Sequence, residues 1–91
     1  MVDRRTVRSM EIDRRRAAWP QIAEEIRRRV KSGTYPAGSA VPSTVALSAE
    51  FGVSTSTMRR ALVRLIEEGT LWAEPGMGTY VNDEEPPTQE G

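Results

Sequence analysis

Ser54, Thr55, Ser56 and Thr57 run without a break into Met58 and the pair Arg59–Arg60. Four short hydroxyl side chains followed within one helical turn by two guanidiniums make a surface of donors and acceptors with fixed positive charge. That combination suits phosphates and base edges. Small hydroxyls permit close approach, and the unpaired N–H groups at a helix start add an anion-binding end. The rest of the inventory narrows the chemistry by subtraction. The sequence has no cysteine and no histidine, so it lacks thiolate metal sites, disulfides, and the commonest general base and metal ligand. The acidic pairs Glu24–Glu25, Glu67–Glu68 and Glu84–Glu85 are adjacent in sequence; neighbours on a helix point apart, so none forms an acid/base dyad. No phosphate loop or metal spacing is present. The expectation is a non-enzyme without cofactors or metals.

The elements that must position these residues can be read from apolar spacing. Met58, Ala61, Leu62, Leu65 and Ile66 fall at i, i+3, i+4, i+7 and i+8, one stripe of a helix. The spacing predicts a helix over Thr55–Glu68, capped by Ser54 and ended by Gly69. Ser56, Arg60, Val63 and Glu67 lie opposite that stripe and Arg59 on its flank, so Ser56, Arg59 and Arg60 face outward together. Upstream, Ser43 caps a short helix over Thr44–Glu50, with Val45, Leu47 and Phe51 as its apolar side, and Gly52 stops it. Two helices joined by a short glycine-containing turn form a helix-turn-helix, whose second helix enters the major groove of DNA.

A third helix precedes them. "WPQIAEEIRRRVKS" (19–32) carries Ile22, Ala23, Ile26 and Val30 at helical spacing, with Pro20 in the first turn and Gly33 as terminator. The connector "TYPAGSAVPS" is rich in turn residues, and Ala40–Val41 is a candidate for a very short strand. "LWAEP" and "TYV" read as two strands joined by "GMG", where glycine permits positive φ. Trp19, Tyr35, Trp72 and Tyr80 are expected at the core or its edge. Residues 1–18 form a basic arm, flexible or helical. Residues 83–91 form an acidic, proline-containing tail with a disordered composition.

Length and charge set the outer bounds. The 91 residues fit one small domain. No apolar run approaches a membrane span of about 18 residues, and the basic N-terminus lacks the apolar core of a secretory signal. A cytoplasmic location is expected. The formal net charge is zero, but its distribution is not even. Ten of the 13 basic residues lie between positions 1 and 31, and four of the 13 acids lie in the last ten. This marks either a solvated basic helix with a solubilising tail, or a phosphate-facing basic side.

The combination "IAEEIRRRVKSGTYPAGSAVPS", "LSAEFGVSTSTMRRALVRLIEEG" and "GMGTYV" resembles the DNA-binding domain of the GntR family of bacterial transcription regulators, from Trp19 to Val81. The resemblance implies a mainly α fold with a small antiparallel β-wing, a winged helix-turn-helix of three helices and a hairpin. It implies sequence-specific binding to a palindromic operator, usually as a homodimer and most often in repression. It places DNA contacts at Ser43 and Thr44, at Ser54, Thr55, Ser56 and Thr57 with Arg59, and at the wing tip Gly76, Met77 and Gly78; Arg60 joins them from the helical wheel. This sequence departs from the family pattern in three places. Thr44–Val45 stands where a Glu-Arg pair is common, Thr55 where arginine follows the Val-Ser, and Met77 where a polar or basic residue sits between the wing glycines. Basic groups of the arm are expected to compensate. Only ten residues follow Val81, so no effector pocket is expected, and a stand-alone small regulator is favoured over a fragment. The zero net charge, Val45, Thr55 and Met77 also support a second expectation, a winged-helix protein-interaction module.

Overall fold

The computed structural model describes residues 12–82. Three helices are followed by a hairpin: α1 (Ala18–Ser32), α2 (Thr44–Phe51), α3 (Thr55–Glu67), β1 (Leu71–Glu74) and β2 (Gly78–Val81). This is the winged helix-turn-helix architecture implied by the sequence. Residues 1–11 of the basic arm and the whole of the acidic tail lie outside the described residues.

α1 begins one residue earlier than its spacing suggests. It closes on Gly33, whose N–H donates to the Val30 carbonyl. Its stripe, Ile22, Ala23 and Ile26, is buried against Met58, Ala61, Leu62 and Leu65 of α3. The Ile, Leu and Met side chains among them each contribute about 1.5–3 kcal/mol on full burial, and this α1–α3 seam is the main axis of the core. α2 adds Leu47 and Phe51. Gly52 ends α2 at φ 70°, a left-handed conformation that glycine adopts without the penalty of a Cβ. That sharp reversal turns the chain directly into α3.

The hairpin is antiparallel, with Leu71 opposite Val81 and Glu74 opposite Gly78. Leu71 and Val81 are buried and close the core. The connector after α1 adds a third rail. Val41 N–H donates to the Thr79 carbonyl at 2.9 Å, and Val81 N–H to that of Ser39 at 2.9 Å. The predicted strand at Ala40–Val41 is therefore only a single bridge, Ala40 to Tyr80. A turn at Ala37–Gly38 precedes it and Pro42, which has no backbone N–H to donate, follows it.

Two placements differ from the expected ones. Val45, assigned to the apolar side of α2, is 69% exposed; on an eight-residue helix the buried face is taken by Leu47, Ser48 and Phe51. Trp72 is also exposed rather than core. It lies on the outer face of the hairpin and stacks on Tyr80, with ring centroids 5.2 Å apart.

Candidate nucleic-acid interface

The start of α3 is built by Ser54. Its Oγ accepts from the Thr57 N–H at 3.1 Å, and its hydroxyl lies 3.1 Å from that of Ser56 and 3.0 Å from that of Thr57. The Ser54 carbonyl accepts from the Met58 N–H. Among the described residues the N–H groups of Thr55 and Ser56 have no partner, as expected at a helix start. They give this end partial positive charge. Thr55 and Ser56 are exposed and Thr57 is half-buried. Ser43 does the same work for α2, its Oγ accepting from the Ala46 N–H at 3.1 Å. Thr44 beside it is half-buried, and its carbonyl accepts from the Ser48 hydroxyl.

Arg59 and Arg60 are both exposed, and among the described residues neither has a carboxylate within ion-pair distance. The α1 arginines, which suggested a basic side in the sequence, are engaged within the fold. Arg27 makes a two-pronged pair with Glu68, at 2.6 and 3.1 Å. Arg28 pairs with Glu25. Arg29 reaches Glu25 at 3.0 Å, Glu50 at 2.7 Å and the Tyr35 hydroxyl at 2.7 Å. Burial pulls the Arg29 guanidinium toward its neutral form, but its hydrogen bonds to Glu50, Tyr35 and Glu25 outweigh this and the net pKa shift is upward. Burial raises the Tyr35 phenol, against the opposing effect of Arg29.

Two residues reach this surface from outside the helix-turn-helix. Trp19, in the first turn of α1, lies under the Arg60 guanidinium, 5.5 Å from ring centroid to Cζ. Together with Ser56, Arg59, Val63 and Arg64 they line an open groove of about 480 Å³ along the outer side of α3. Arg14, from the arm, approaches the α2–α3 turn: a Cβ on Gly52 would lie 3.8 Å from its Nη2. The chain around Arg14 is tied down by Gln21, which accepts from the Asp13 N–H at 2.8 Å and donates to the carbonyls of Asp13 and Ala17. Residues 12–17 are thus a turn fastened to α1. Arg15 and Arg16 pair with Asp13, which holds the Asp13 carboxyl below its ordinary range.

The wing tip is the turn Glu74-Pro75-Gly76-Met77, closed by the Met77 N–H on the Glu74 carbonyl at 2.9 Å. Proline at the second position and Gly76 at φ 79° match a type II turn. Gly76, Met77 and Gly78 are all exposed. A Cβ added to either glycine would meet nothing within 4 Å. Gly76 is therefore required by its backbone angle, and the space over the tip is open.

This fold and this surface define a winged helix-turn-helix domain. The sequence model of the bacterial regulatory proteins of the gntR family matches residues 20–81, and the chain belongs to that family. It is 48% identical over 65 residues to the uncharacterized HTH-type transcriptional regulator RB1450 of Rhizobium meliloti, covering 71% of this chain and 27% of that protein. It is 45% identical over 64 residues to the mannosyl-D-glycerate transport/metabolism system repressor MngR of Escherichia coli, covering 70% of this chain and 27% of that protein. The chain thus spans about a quarter of the length of these relatives. In three dimensions it matches AraR(DBD), solved in complex with operator ORX1, with a TM-score of 0.67 and 33% identity over 69% of this chain and 76% of that one. Among the described residues no helix is long and apolar enough to cross a membrane.

Proposed function

We propose that the chain is a sequence-specific, double-stranded DNA-binding transcriptional regulator, acting as a repressor in the cytoplasm. α3 enters the major groove. Ser54, Thr55, Ser56 and Thr57 with Arg59 and Arg60 face the duplex, and Ser43 and Thr44 meet the backbone from the start of α2. The wing at residues 75–79 meets the backbone or the minor groove. The carrying observation is the contrast in pairing: among the described residues Arg59 and Arg60 have no carboxylate partner beside the open N–H end of α3, while the α1 arginines are engaged internally. Support comes from AraR(DBD), a structural neighbour seen with its operator, and from MngR, a named repressor. Arg14 near Gly52 of the α2–α3 turn supports a compensating role for the arm where Thr55 replaces the family's arginine. A palindromic operator bound by two copies follows from the family pattern.

Selection of duplexes from a random-sequence pool by the purified protein tests this. A recovered palindrome is expected, and its half-site spacing reports a dimer. Arg59→Ala should then weaken binding by about 1–3 kcal/mol and relax preference at one base pair. Enrichment of no duplex would sink the proposal. The exposed Val45 and Met77, 69% and 68% accessible, favour the second function, a protein-interaction module, and that function would take its place.

A further inference from the structure

We infer that Trp19 is a positioning residue for Arg60, holding that guanidinium over the outer side of α3 so that it meets a backbone phosphate already ordered. The inference rests on the DNA-binding function proposed above.

The argument starts from how each arginine of this fold is held. Arg27, Arg28 and Arg29 are fixed by carboxylates, which order the side chain and neutralise it together. Arg64 lies 4.0 Å from both Glu67 and Glu68. Arg60 is fixed by an aromatic face instead, with Cζ 5.5 Å from the Trp19 centroid. An aromatic face attracts a cation without neutralising it, and it leaves the guanidinium N–H donors available to an acceptor such as a phosphate. The cation thus has an aromatic contact and, among the described residues, no carboxylate partner. A long, flexible side chain loses less freedom on binding when it is already placed.

Trp19 is itself well anchored for this task. It sits in the first turn of α1, half-buried against the core, on the helix that packs along α3. The groove it shares with Arg59, Arg60 and Arg64 is lined by three guanidiniums and one carboxylate, Glu67, a net positive lining that suits a phosphodiester. Glu67 is drawn toward Arg64.

The test is a double-mutant cycle on DNA affinity, measured across a salt series with the duplex selected by the parent protein. Trp19→Ala should weaken binding about three- to tenfold, the scale of a partly exposed cation–π contact, and Trp19→Phe should retain most of the affinity. Arg60→Ala should lower the salt slope by about 0.9, one released counterion, whereas Trp19→Ala should leave the slope unchanged because the cation remains. The double variant should bind like Arg60→Ala alone. Work below the melting transition of every variant, and subtraction around the cycle, remove losses from core packing. Additive losses, a Trp19→Phe as weak as Trp19→Ala, or parental affinity in Trp19→Ala would each overturn the inference. A parent protein that selects no duplex would remove the DNA-binding function and this inference with it. A parent that binds while the two losses add would overturn this inference alone.

Discussion

Arg29 of α1 and the pair Arg59–Arg60 of α3 are chemically alike and differently surrounded. On α1, Arg29 is 13% exposed and bonded to Glu25, Glu50 and Tyr35; it also lies over the rings of Phe51 and Tyr35, at 5.0 and 5.6 Å. It clamps the end of α1, the connector and the end of α2 together. On α3, Arg59 and Arg60 have no carboxylate within ion-pair distance among the described residues, and the proposed function gives their charge to DNA. A run of basic residues is therefore no guide to a binding face until its carboxylates are located. The strongest way to break this contrast is Arg29→Ala. Removing one member of a mostly buried ionic cluster leaves Glu25, Glu50 and Tyr35 short of donors, and should cost about 3 kcal/mol of unfolding free energy. Urea denaturation measures it; a loss below about 1 kcal/mol, the range of a surface pair, would place Arg29 with the solvated charges instead.

Ser54 sharpens the comparison from the other side, because it lies on the proposed interface yet its hydroxyl is already committed to the Thr57 N–H. Ser54→Ala should lower stability by about 1 kcal/mol, the usual worth of an N-cap. Base preference in the selected duplex should hardly change, since Thr55, Ser56 and Arg59 remain. Thermal melting alongside the binding titration separates the two effects. A relaxed base preference without loss of stability would make Ser54 a contact rather than a cap.

What the sequence made legible follows the same division. The stripe Met58, Ala61, Leu62 and Leu65 could be read at once, because thirteen residues of helix give the period room to show. The outward placement of Ser56, Arg59 and Arg60 came with it. α2 is too short for its period to discriminate, and Val45 went to the wrong face. Trp72 was misplaced because one side of a hairpin packs on the core while the other faces solvent, and size alone does not say which. The partners of Arg27 and Arg29 are brought in by the fold: Glu68 is 41 positions from Arg27, beyond any local pattern. The cation–π contact of Arg60 with Trp19 and the approach of Arg14 to the α2–α3 turn are long-range in the same way. Local patterns carried the elements and the helix caps, whereas the assignment of charge to architecture or to partner needed the third dimension.

The smallest predicted effect tests whether the Arg27–Glu68 pair belongs with the clamp or with the solvated surface. Its geometry is two-pronged and Thr70 adds a hydrogen bond to Glu68 Oε2 at 2.8 Å, but the two side chains are 38% and 26% exposed. The Arg27 hydrogen bonds hold the Glu68 carboxyl below its ordinary pKa of 4.5, against the opposing effect of burial. A depressed folded-state pKa means that the folded form binds its proton less readily than the unfolded chain. The stability it contributes is therefore fully present above the ordinary carboxylate value, and is lost as pH falls through the lower, folded one. Solvent screening limits that contribution to about 0.5 kcal/mol. Glu68→Gln should flatten this part of the stability profile below pH 4.5 and change little near neutrality beyond the same small loss. Paired urea titrations of parent and variant on both sides of that value make the measurement. A loss as large as that of Arg29→Ala would move the pair into the structural clamp, and would show that half-exposed charge can bear on architecture as strongly as buried charge does.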